Sequence, residues 1–498
     1  MKRRPNRRLA AAVAIALGAG IHSAWATNGM NLEGYGPIAT AMGGAAQAYD
    51  NGTAAMMNNP ATLALMPEGN RIDLALGMLG PDVTATVTTP GGTMDADSSA
   101  TAFYMPALGW ARRSGDLTFG FGVFGQGGMG TEYGKDTWMA DPSNGALANT
   151  ALVNRSEVSV GRAMIPVAYR VNDQITLGGS LDFVWAGMDL QMAMSEAQFQ
   201  DLANPASQQA GRASGTLVDS FGQLYEPFGA SGPGINQLYY AYFDFSDDSA
   251  FTGKAQGAGL GGKLGAVLRF SPRFSLGLSY HSKTYMSDLT TDGATMTMAV
   301  NGDQGALTSG TPSGTDVDMT IPVTGKITVK DFQWPTTLAI GAALQVNDRL
   351  TLVGDVKNIG WSGVMKDFSM TFEADNTASN GGFAGKTMDM ALYQNWRDQT
   401  VLALGGSYRL NDAITLRAGI NRAADPIPAS YLNALFPAIV ENHITAGLGY
   451  QKGAASVDLS ITRASQAQST NPGNGSTVPP VTSTHSQLNW QLMASYRF

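Results

Sequence analysis

The chain ends in Trp490-Gln491-Leu492-Met493-Ala494-Ser495-Tyr496-Arg497-Phe498. Because successive side chains of a β-strand point to opposite faces, positions 490, 492, 494, 496 and 498 would share one face. That face is apolar or small throughout and finishes on two aromatic residues, Tyr496 and Phe498. The stretch therefore predicts a strand with two different faces.

The same alternation recurs from residue 71 onward, for example over 177–185 and 402–408. Runs of seven to nine alternating residues exceed the usual length of about five or six in globular strands, and they suit a tilted crossing of a bilayer. Three similar turns, at 171–177, 346–352 and 410–416, contain the Asn-Asp pairs that tight hairpins favour. Three further short reversals lie at Ser114-Gly115, 271–273 and Lys452-Gly453.

Seven longer polar loops separate these turns, near 80–100, 126–154, 190–255, 287–318, 372–392, 422–442 and 464–485. Six short turns and seven long loops give 13 connections, so the sequence predicts an all-β fold, a 14-stranded antiparallel transmembrane β-barrel over 71–498. This count treats Ile321 to Val346 as one strand with an irregularity at Trp334-Pro335, although two strands broken there are the alternative.

Residues 1–26 have the pattern of a signal peptide. Five basic residues in the first eight precede an apolar run from Leu9 to Ile21, and small residues at 24 and 26 form a cleavage pattern before Thr27. The apolar run of 13 is shorter than the roughly 20 residues of a membrane-spanning helix, and no downstream run is that long. The pattern predicts an exported protein and excludes a helical inner-membrane protein.

Composition excludes several function classes. The chain of 498 residues has 14% charged residues, a formal net charge of -8 and no cysteine. The charge disfavours nucleic-acid binding, and the lack of cysteine excludes disulfide scaffolds and thiolate metal sites. Outside the signal peptide, His281, His443 and His485 lack metal-ligand spacing, and the Gly-rich stretches lack a phosphate-loop lysine. We therefore predict no enzyme activity, no cofactor and no metal.

Residues 27–70 do not alternate and are rich in Gly, Ala and Met. Because a barrel of this predicted size encloses a lumen wider than its side chains fill, we expect this segment to fold inside it as a hatch. A periplasmic tail outside the barrel is the alternative.

The segment Asn58-Asn59-Pro60-Ala61, together with Tyr408 to Asp412, Leu416 to Ile420 and Asp425-Pro426-Ile427-Pro428, resembles the FadL family. These proteins are outer-membrane transporters of long-chain fatty acids, and the family includes aromatic-hydrocarbon importers of the TodX type. The terminal Tyr496 and Phe498 likewise resemble the signal by which the barrel-assembly machinery recognises such proteins.

The resemblance implies a hatch containing Asn58 to Ala61 and lateral exit of cargo through an inward bend of the third strand. In this chain the third strand, 117–130, has six glycines, and we predict that five of them permit the bend: Gly120, Gly122, Gly125, Gly127 and Gly128. The alternative is that these glycines make room for the hatch.

The loop 190–255 contains a second candidate site. Phe221, Leu224, Tyr225 and Phe228 recur at helical spacing and predict a capture groove for an apolar ligand, whereas Tyr239 to Phe245 suit an aromatic girdle. Arg162, Lys254 and Lys263 are candidates for binding a ligand carboxylate, and the sequence does not choose among them.

The predicted function is passive uptake of hydrophobic small molecules, with long-chain fatty acids as the expected cargo. Aromatic or alkane hydrocarbons, a general diffusion porin and an adhesive surface barrel are the alternatives. The expected surroundings are outer-membrane lipid and lipopolysaccharide, with both termini periplasmic, and the resemblance favours a monomer.

Overall fold

A computed structural model describes residues 28–225, 234–247, 253–309, 311–475 and 477–498. The predicted signal peptide and Phe228 lie outside the described residues. No helix among the described residues combines the length and apolarity needed to cross a bilayer.

Over the described residues, one antiparallel sheet contains all 23 strands. The first twelve are β1 (Gly69–Leu79), β2 (Pro81–Thr89), β3 (Gly92–Asp97), β4 (Phe103–Ser114), β5 (Leu117–Tyr133), β6 (Asn154–Arg170), β7 (Ile175–Ser195), β8 (Gly211–Ser214), β9 (Ile235–Phe245), β10 (Ala255–Ser271), β11 (Phe274–His281) and β12 (Tyr285–Met286). The others are β13 (Leu289–Asp303), β14 (Asp316–Lys330), β15 (Thr337–Gln345), β16 (Leu350–Ile359), β17 (Asp367–Ala374), β18 (Thr387–Tyr393), β19 (Gln399–Arg409), β20 (Ile414–Ala423), β21 (Asn442–Lys452), β22 (Ala455–Asn471) and β23 (Val481–Arg497).

The helices are short. The α-helices are α1 (Pro37–Thr40), α2 (Ala55–Asn58), α3 (Glu196–Ala203), α4 (Thr216–Leu224) and α5 (Gln304–Ser309). The 3-10 helices span Gly52–Ala54, Pro60–Leu65, Trp138–Ala140, Trp361–Gly363, Ala378–Phe383 and Ala429–Tyr431.

The sheet closes into a barrel. Pairing runs from β1 to β4 and on through β5, β6, β7, β10, β11, β15, β16, β19, β20, β21, β22 and β23, which returns to β1. All six predicted short turns are confirmed and connect ring strands at one end, which we call the turn side. The opposite end, with the long connections, is the loop side.

The predicted count of 14 strands is wrong for this sheet, because several segments interpreted as loops form strands of their own. On the loop side β9, β13, β14, β17, β18 and β8 pair successively, starting from β7. β2 continues along β23 and pairs with β3. The single strand predicted over Ile321 to Val346 is also wrong, since β14 and β15 are separate and lie in different parts of the sheet.

The outer face of the ring is apolar. Outward-pointing side chains such as Ile165, Leu181 and Leu264 are 60%, 61% and 66% exposed. Their alternate neighbours, such as Asp182 and Lys263, point inward and are buried. Exposed apolar side chains around a barrel suit a lipid environment.

Residues 28–68, which we call the N-terminal segment, lie inside the ring. Their polar contacts reach strands on opposite sides of it: Thr53 donates to Asp73 of β1, Lys357 of β16 donates to the Gly44 carbonyl, and Gly43 N donates to Thr445 of β21. Ring glycines allow this close approach. A Cβ at Gly178, Gly265 or Gly405 would lie within 2.5 Å of an atom of this segment.

Candidate functional site

The ring wall has a gap between β4 and β5. The two strands pair from Ser114 and Leu117 at the turn up to Ala107 and Phe124, and there the pairing stops. Beyond this point 103–106 pair with β1 alone, while 125–133 pair with β6. Pro106 has no N–H to donate, and a proline suits a strand edge that faces a gap.

An irregularity in β5 lies beside this gap. The β5–β6 register shifts between Gly125 and Gly127, so that Gln126 is an extra residue. Gln126 Nε2 donates to Tyr35 Oη at 2.7 Å and to Asn31 Oδ1 at 3.0 Å, and Tyr35 Oη donates to the Gln126 carbonyl at 2.6 Å. The N-terminal segment therefore holds β5 in its bent course.

A cavity of about 280 Å³ lies behind the gap. Its wall is formed by both edges of the gap, by the start of the N-terminal segment and by parts of β1, β6 and β23. The lining comprises residues 29–32, Leu79, Pro81, Val83, residues 103–106, residues 123–125 and 127–131, residues 157–161, Trp185, Pro437, Ala438, His485 and Gln487. These described lining residues are mostly apolar and include neither Lys nor Arg.

The loop between β20 and β21 closes the cavity on the loop side. Pro437 and Ala438 of this loop line it. Thr131 Oγ1 donates to the Leu435 carbonyl at 3.1 Å, Tyr133 Oη donates to the Ala434 carbonyl at 2.9 Å, and Ser156 Oγ also donates to Leu435. Residues 424–441, which we call the cap loop, are thus tied to β5 and β6.

At the base of the cap loop, burial raises the pKa of Asp425 to about 7, and the nearby Glu441 carboxylate adds to the rise. The Asp425 N–H donates to Glu441 Oε1 at 3.2 Å, which places the two acidic side chains together. Asp425 belongs to the predicted Asp-Pro-Ile-Pro element, but nothing in the sequence indicates that its carboxyl group is shielded from water.

The five predicted glycines of the third ring strand divide into two groups. Gly125, Gly127 and Gly128 line the cavity at the irregularity. Gly120 and Gly122 instead face Met56 of the N-terminal segment, where an added Cβ would lie 3.1 Å from its Cε and 2.7 Å from its Sδ respectively. A role of these glycines in a lateral opening stays a prediction.

The predicted Asn58-Asn59-Pro60-Ala61 element is buried against β10 and β11. Asn59 Nδ2 donates to the Gln47 carbonyl at 2.8 Å and to the Ala266 carbonyl of β10 at 3.3 Å. The Asn59 side chain also accepts from Ala61 N, at the start of the 3-10 helix that Pro60 begins. His281 Nε2 lies 2.9 Å from the Asn58 carbonyl. The element fixes the N-terminal segment to the wall, away from the cavity.

The predicted groove residues lie in the interior of the loop. Phe221 and Tyr225 are fully buried, and the Phe221 ring lies 5.3 Å from that of Phe199 on α3 and 5.0 Å from that of Tyr225. Leu224 packs against the same cluster. The predicted helical face thus exists in α4, and in this structure it packs on α3 instead of lining an open groove.

Of the three candidate cations, two form one buried cluster. Arg162 Nη1 and Lys263 Nζ each lie 2.8 Å from Asp182 Oδ2, and all three side chains are at most 2% exposed. Lys254 lies elsewhere, with its backbone N–H bonded to Asp189. Alternation places Arg162, Asp182 and Lys263 on inward faces, so their pairing could have been predicted from the sequence.

The predicted terminal signal lies at the end of β23, with its side chains on the outward face of the ring. Tyr496 and Phe498 are exposed, and their rings stack with centroids 5.9 Å apart. Asn70 N donates to the Phe498 carbonyl at 2.8 Å, and Phe498 N donates to the Asn70 carbonyl at 3.0 Å. These residues therefore complete the closure of the ring onto β1.

His485 and Gln487 line the cavity but are not among the site residues predicted from the sequence. Both lie on the inward face of β23, where Ser483, His485, Gln487 and Asn489 are all buried. The signal was available: four polar residues alternate along one face of the strand that ends in Phe498.

Comparison with known proteins is informative over nearly the whole chain. A family profile described as "Outer membrane protein transport protein (OMPP1/FadL/TodX)" matches residues 15–498. The crystal structure of the Pseudomonas putida toluene transporter TodX is 29% identical, covers 94% of this chain and 99% of that one, and superimposes with a TM-score of 0.75. The Ralstonia pickettii toluene transporter TbuX is 28% identical at the same coverages, with a TM-score of 0.70.

Two other similarities are more distant or shorter. A Pseudomonas aeruginosa FadL homologue shares the fold, with 17% identity over 94% of this chain and all of that one, and a TM-score of 0.66. A Chlorobium limicola protein described as an uncharacterized protein in the phosphoenolpyruvate carboxykinase gene 5' region is 53% identical over 74 residues. That match spans 15% of this chain and 36% of the length of this curated relative.

Proposed function

The chain belongs to the OMPP1/FadL/TodX family of outer membrane transport proteins, and from this premise we propose that it imports small, neutral aromatic molecules. The family carries hydrophobic compounds across the outer membrane, so the chain is a transporter of that class. Membership in a family of transport channels also supports a function other than catalysis.

The observation that carries the proposal is the cavity behind the gap between β4 and β5. An apolar cavity of about 150 Å³ binds benzene, so a cavity of about 280 Å³ has room for a single substituted ring. Transfer of apolar surface from water into such a site is favourable by about 25 cal/mol per Å². The toluene transporters TodX and TbuX, which this chain resembles, support a cargo of this size.

The predicted fatty acid cargo has less support. A carboxylate buried without a cation is costly, and the described residues that line the cavity include no Lys or Arg. Arg162 and Lys263 both pair with Asp182. Uptake of long-chain fatty acids therefore stays a prediction. A general diffusion porin is disfavoured, because the N-terminal segment occupies the lumen.

The proposed route passes from the cavity to the membrane through the gap. Phe103 and Met105 on one edge and Gly125 and Gly127 on the other line the cavity, so cargo would leave sideways between β4 and β5. The N-terminal segment would act as the hatch that prevents passage to the turn side, held by Asn58 to Ala61. Lateral exit suits an apolar cargo, because a cargo that passes from the cavity into the membrane never enters water.

The test is uptake of radiolabelled toluene by cells that lack their own channels of this family and carry this chain. Oleate uptake and permeability to small sugars would be followed in parallel. Toluene uptake without sugar leakage is the expected result. Oleate uptake in preference to toluene would contradict the cargo, and sugar leakage would contradict a closed lumen.

A further inference from the structure

One side of the cavity is polar, and its hydrogen bonds fix the states of two side chains. His485 Nδ1 lies 2.8 Å from the Pro437 carbonyl of the cap loop. Because a carbonyl can only accept, this nitrogen carries the proton and donates. In the neutral ring the other nitrogen, Nε2, is then an acceptor, and it lies 3.1 Å from Gln487 Nε2. Gln487 therefore donates to His485.

The amide of Gln487 is half-satisfied. Its Nε2 uses one of two hydrogens toward His485, and its Oε1 accepts one bond from Asn489 Nδ2 at 3.2 Å. Among the described residues the amide has no other partner. One donor hydrogen and one acceptor lone pair remain on a side chain that lines the cavity and is 8% exposed.

A hydroxyl group can bond to both remaining positions of the amide, since it offers one donor and two acceptor lone pairs. A bare hydrocarbon offers neither, and it would displace water from the amide without replacing its hydrogen bonds. A site that bonds a hydroxyl therefore favours the hydroxylated molecule over the analogue that lacks it.

The charge at the cavity argues for a neutral group. Glu157 lines the cavity, and its Oε2 is bonded to Arg155 Nη2 at 2.8 Å. Because Arg155 is already paired with Glu157 and no described lining residue is a cation, a ligand carboxylate would be buried without a partner, which is costly. An un-ionised phenolic hydroxyl carries no such penalty.

We propose that Gln487, oriented by His485, is a specificity-determining residue that favours small aromatic cargo with one neutral hydroxyl group. This proposal rests on the proposed function, because it names the class of molecule that the same cavity binds. Phenol is the simplest member, and toluene has nearly the same shape with a methyl group in place of the hydroxyl.

The experiment compares the binding of phenol and toluene to the purified, detergent-solubilised protein by isothermal titration calorimetry. Gln487→Leu removes the amide and keeps a similar volume, and Gln487→Met is a second apolar variant if the first fails to fold. Each should weaken phenol binding by roughly fivefold to tenfold, the value of one hydrogen bond, and leave toluene binding equal or tighter. Gln468→Leu, whose side chain is exposed on β22, is the matched control and should change neither affinity.

The outcomes separate the two proposals. If wild-type protein binds toluene but its preference between phenol and toluene is the same in Gln487→Leu and Gln487→Met, the role of Gln487 is overturned and the cavity remains an aromatic site. If the wild-type protein binds neither molecule, the proposed function itself fails.

Discussion

The two edges of β5 differ, although they belong to one strand. On the β6 side pairing continues from Leu117 to Tyr133, across the irregularity at Gln126. On the β4 side it stops at Phe124. One extra residue in β5, together with Pro106 on the facing strand, therefore ends the pairing with β4 while the pairing with β6 continues.

The first prediction concerns a disulfide that links β4 to β5 across the gap. A Cβ at Gly125 would lie 3.5 Å from Met105 Cβ, within the range of about 3.5–4.5 Å that a disulfide requires. The chain has no cysteine of its own. The oxidised Met105→Cys, Gly125→Cys variant should lose nearly all toluene uptake, and a reductant should restore it.

The matched control is Arg112→Cys with Phe119→Cys, two positions outside the cavity lining that already lie opposite each other in the paired part of β4 and β5. Its oxidation should leave uptake unchanged. Undiminished uptake through the oxidised Met105–Gly125 variant would show that cargo leaves by another route.

The second prediction concerns the continuously paired part of the ring formed by β6, β7 and β10. Asp182→Asn would leave Arg162 and Lys263 buried as two unpaired positive charges. Breaking such a group should lower the free energy of unfolding by about 3–5 kcal/mol, measured by urea titration in detergent. The control Asp389→Asn removes a half-exposed pair with Lys330 and should cost less than about 1 kcal/mol. Equal losses in the two variants would refute the importance of burial here.

The third prediction addresses the irregularity itself. A Cβ at Gly127 would lie 2.1 Å from the Met30 carbonyl oxygen, so Gly127→Ala must displace the N-terminal segment or β5. We expect a loss of about 1–3 kcal/mol in unfolding free energy and reduced toluene uptake. Gly382→Ala, with no atom within 4 Å of its added Cβ, should behave like wild type in both assays.

The smallest expected effect concerns the cap loop, which covers the cavity beside the open edge. Because the pKa of Asp425 is raised to about 7 from an ordinary value of 3.8, the folded loop binds the proton more tightly than the unfolded chain. Its stabilising contribution is present at low pH and is lost as pH rises through 7. Hydrogen exchange of residues 430–440 should therefore be faster at pH 8 than at pH 6 after correction for intrinsic rates. Asp425→Asn should abolish this extra difference.

The ring wall was predictable because its local rules are strict. The face that alternation assigns to Leu181 and Phe183 is the exposed one, at 61% and 51%. The Asn-Asp turns form as expected: Asn172 Oδ1 accepts from Gln174 N and Ile175 N at 2.9 and 2.8 Å. Each of these features depends on neighbours within a few residues.

The strand count was not predictable, because it depends on which strands pair and local patterns do not encode this. Strands of the ring show the same alternation as the strands that extend the sheet on the loop side. Only their pairing partners determine whether a strand belongs to the ring or to the extension. Trp334 illustrates the problem. Its N–H donates to Thr284 Oγ1 at 2.7 Å and its ring Nε1 donates to Asn31 Oδ1 at 2.7 Å, contacts 50 and 303 positions away in sequence. These distant contacts place the chain between β14 and β15 against the N-terminal segment.

The site was predictable in part. A strand rich in glycine indicated a bend, but the sequence does not show that the bend occurs at Gln126, since that depends on Tyr35 and Asn31 of the N-terminal segment. The helical spacing of Phe221 and Tyr225 correctly indicated an apolar face. That Phe199 covers this face depends on the fold of a long loop, which no local pattern encodes.

The closure of β23 onto β1 is expected to be the slow step of folding. Asn70 and Phe498, which bond at this seam, are 428 positions apart in sequence. Fold formation slows as contacting residues lie farther apart along the chain, because the entropy of joining them is lost before the contacts compensate for it. Hairpins such as β22–β23 join residues that are close in sequence, so their pairing is fast. We therefore expect the ring to close last, as a slow step that follows fast local pairing, with two long strand edges open to mispairing with other chains until then.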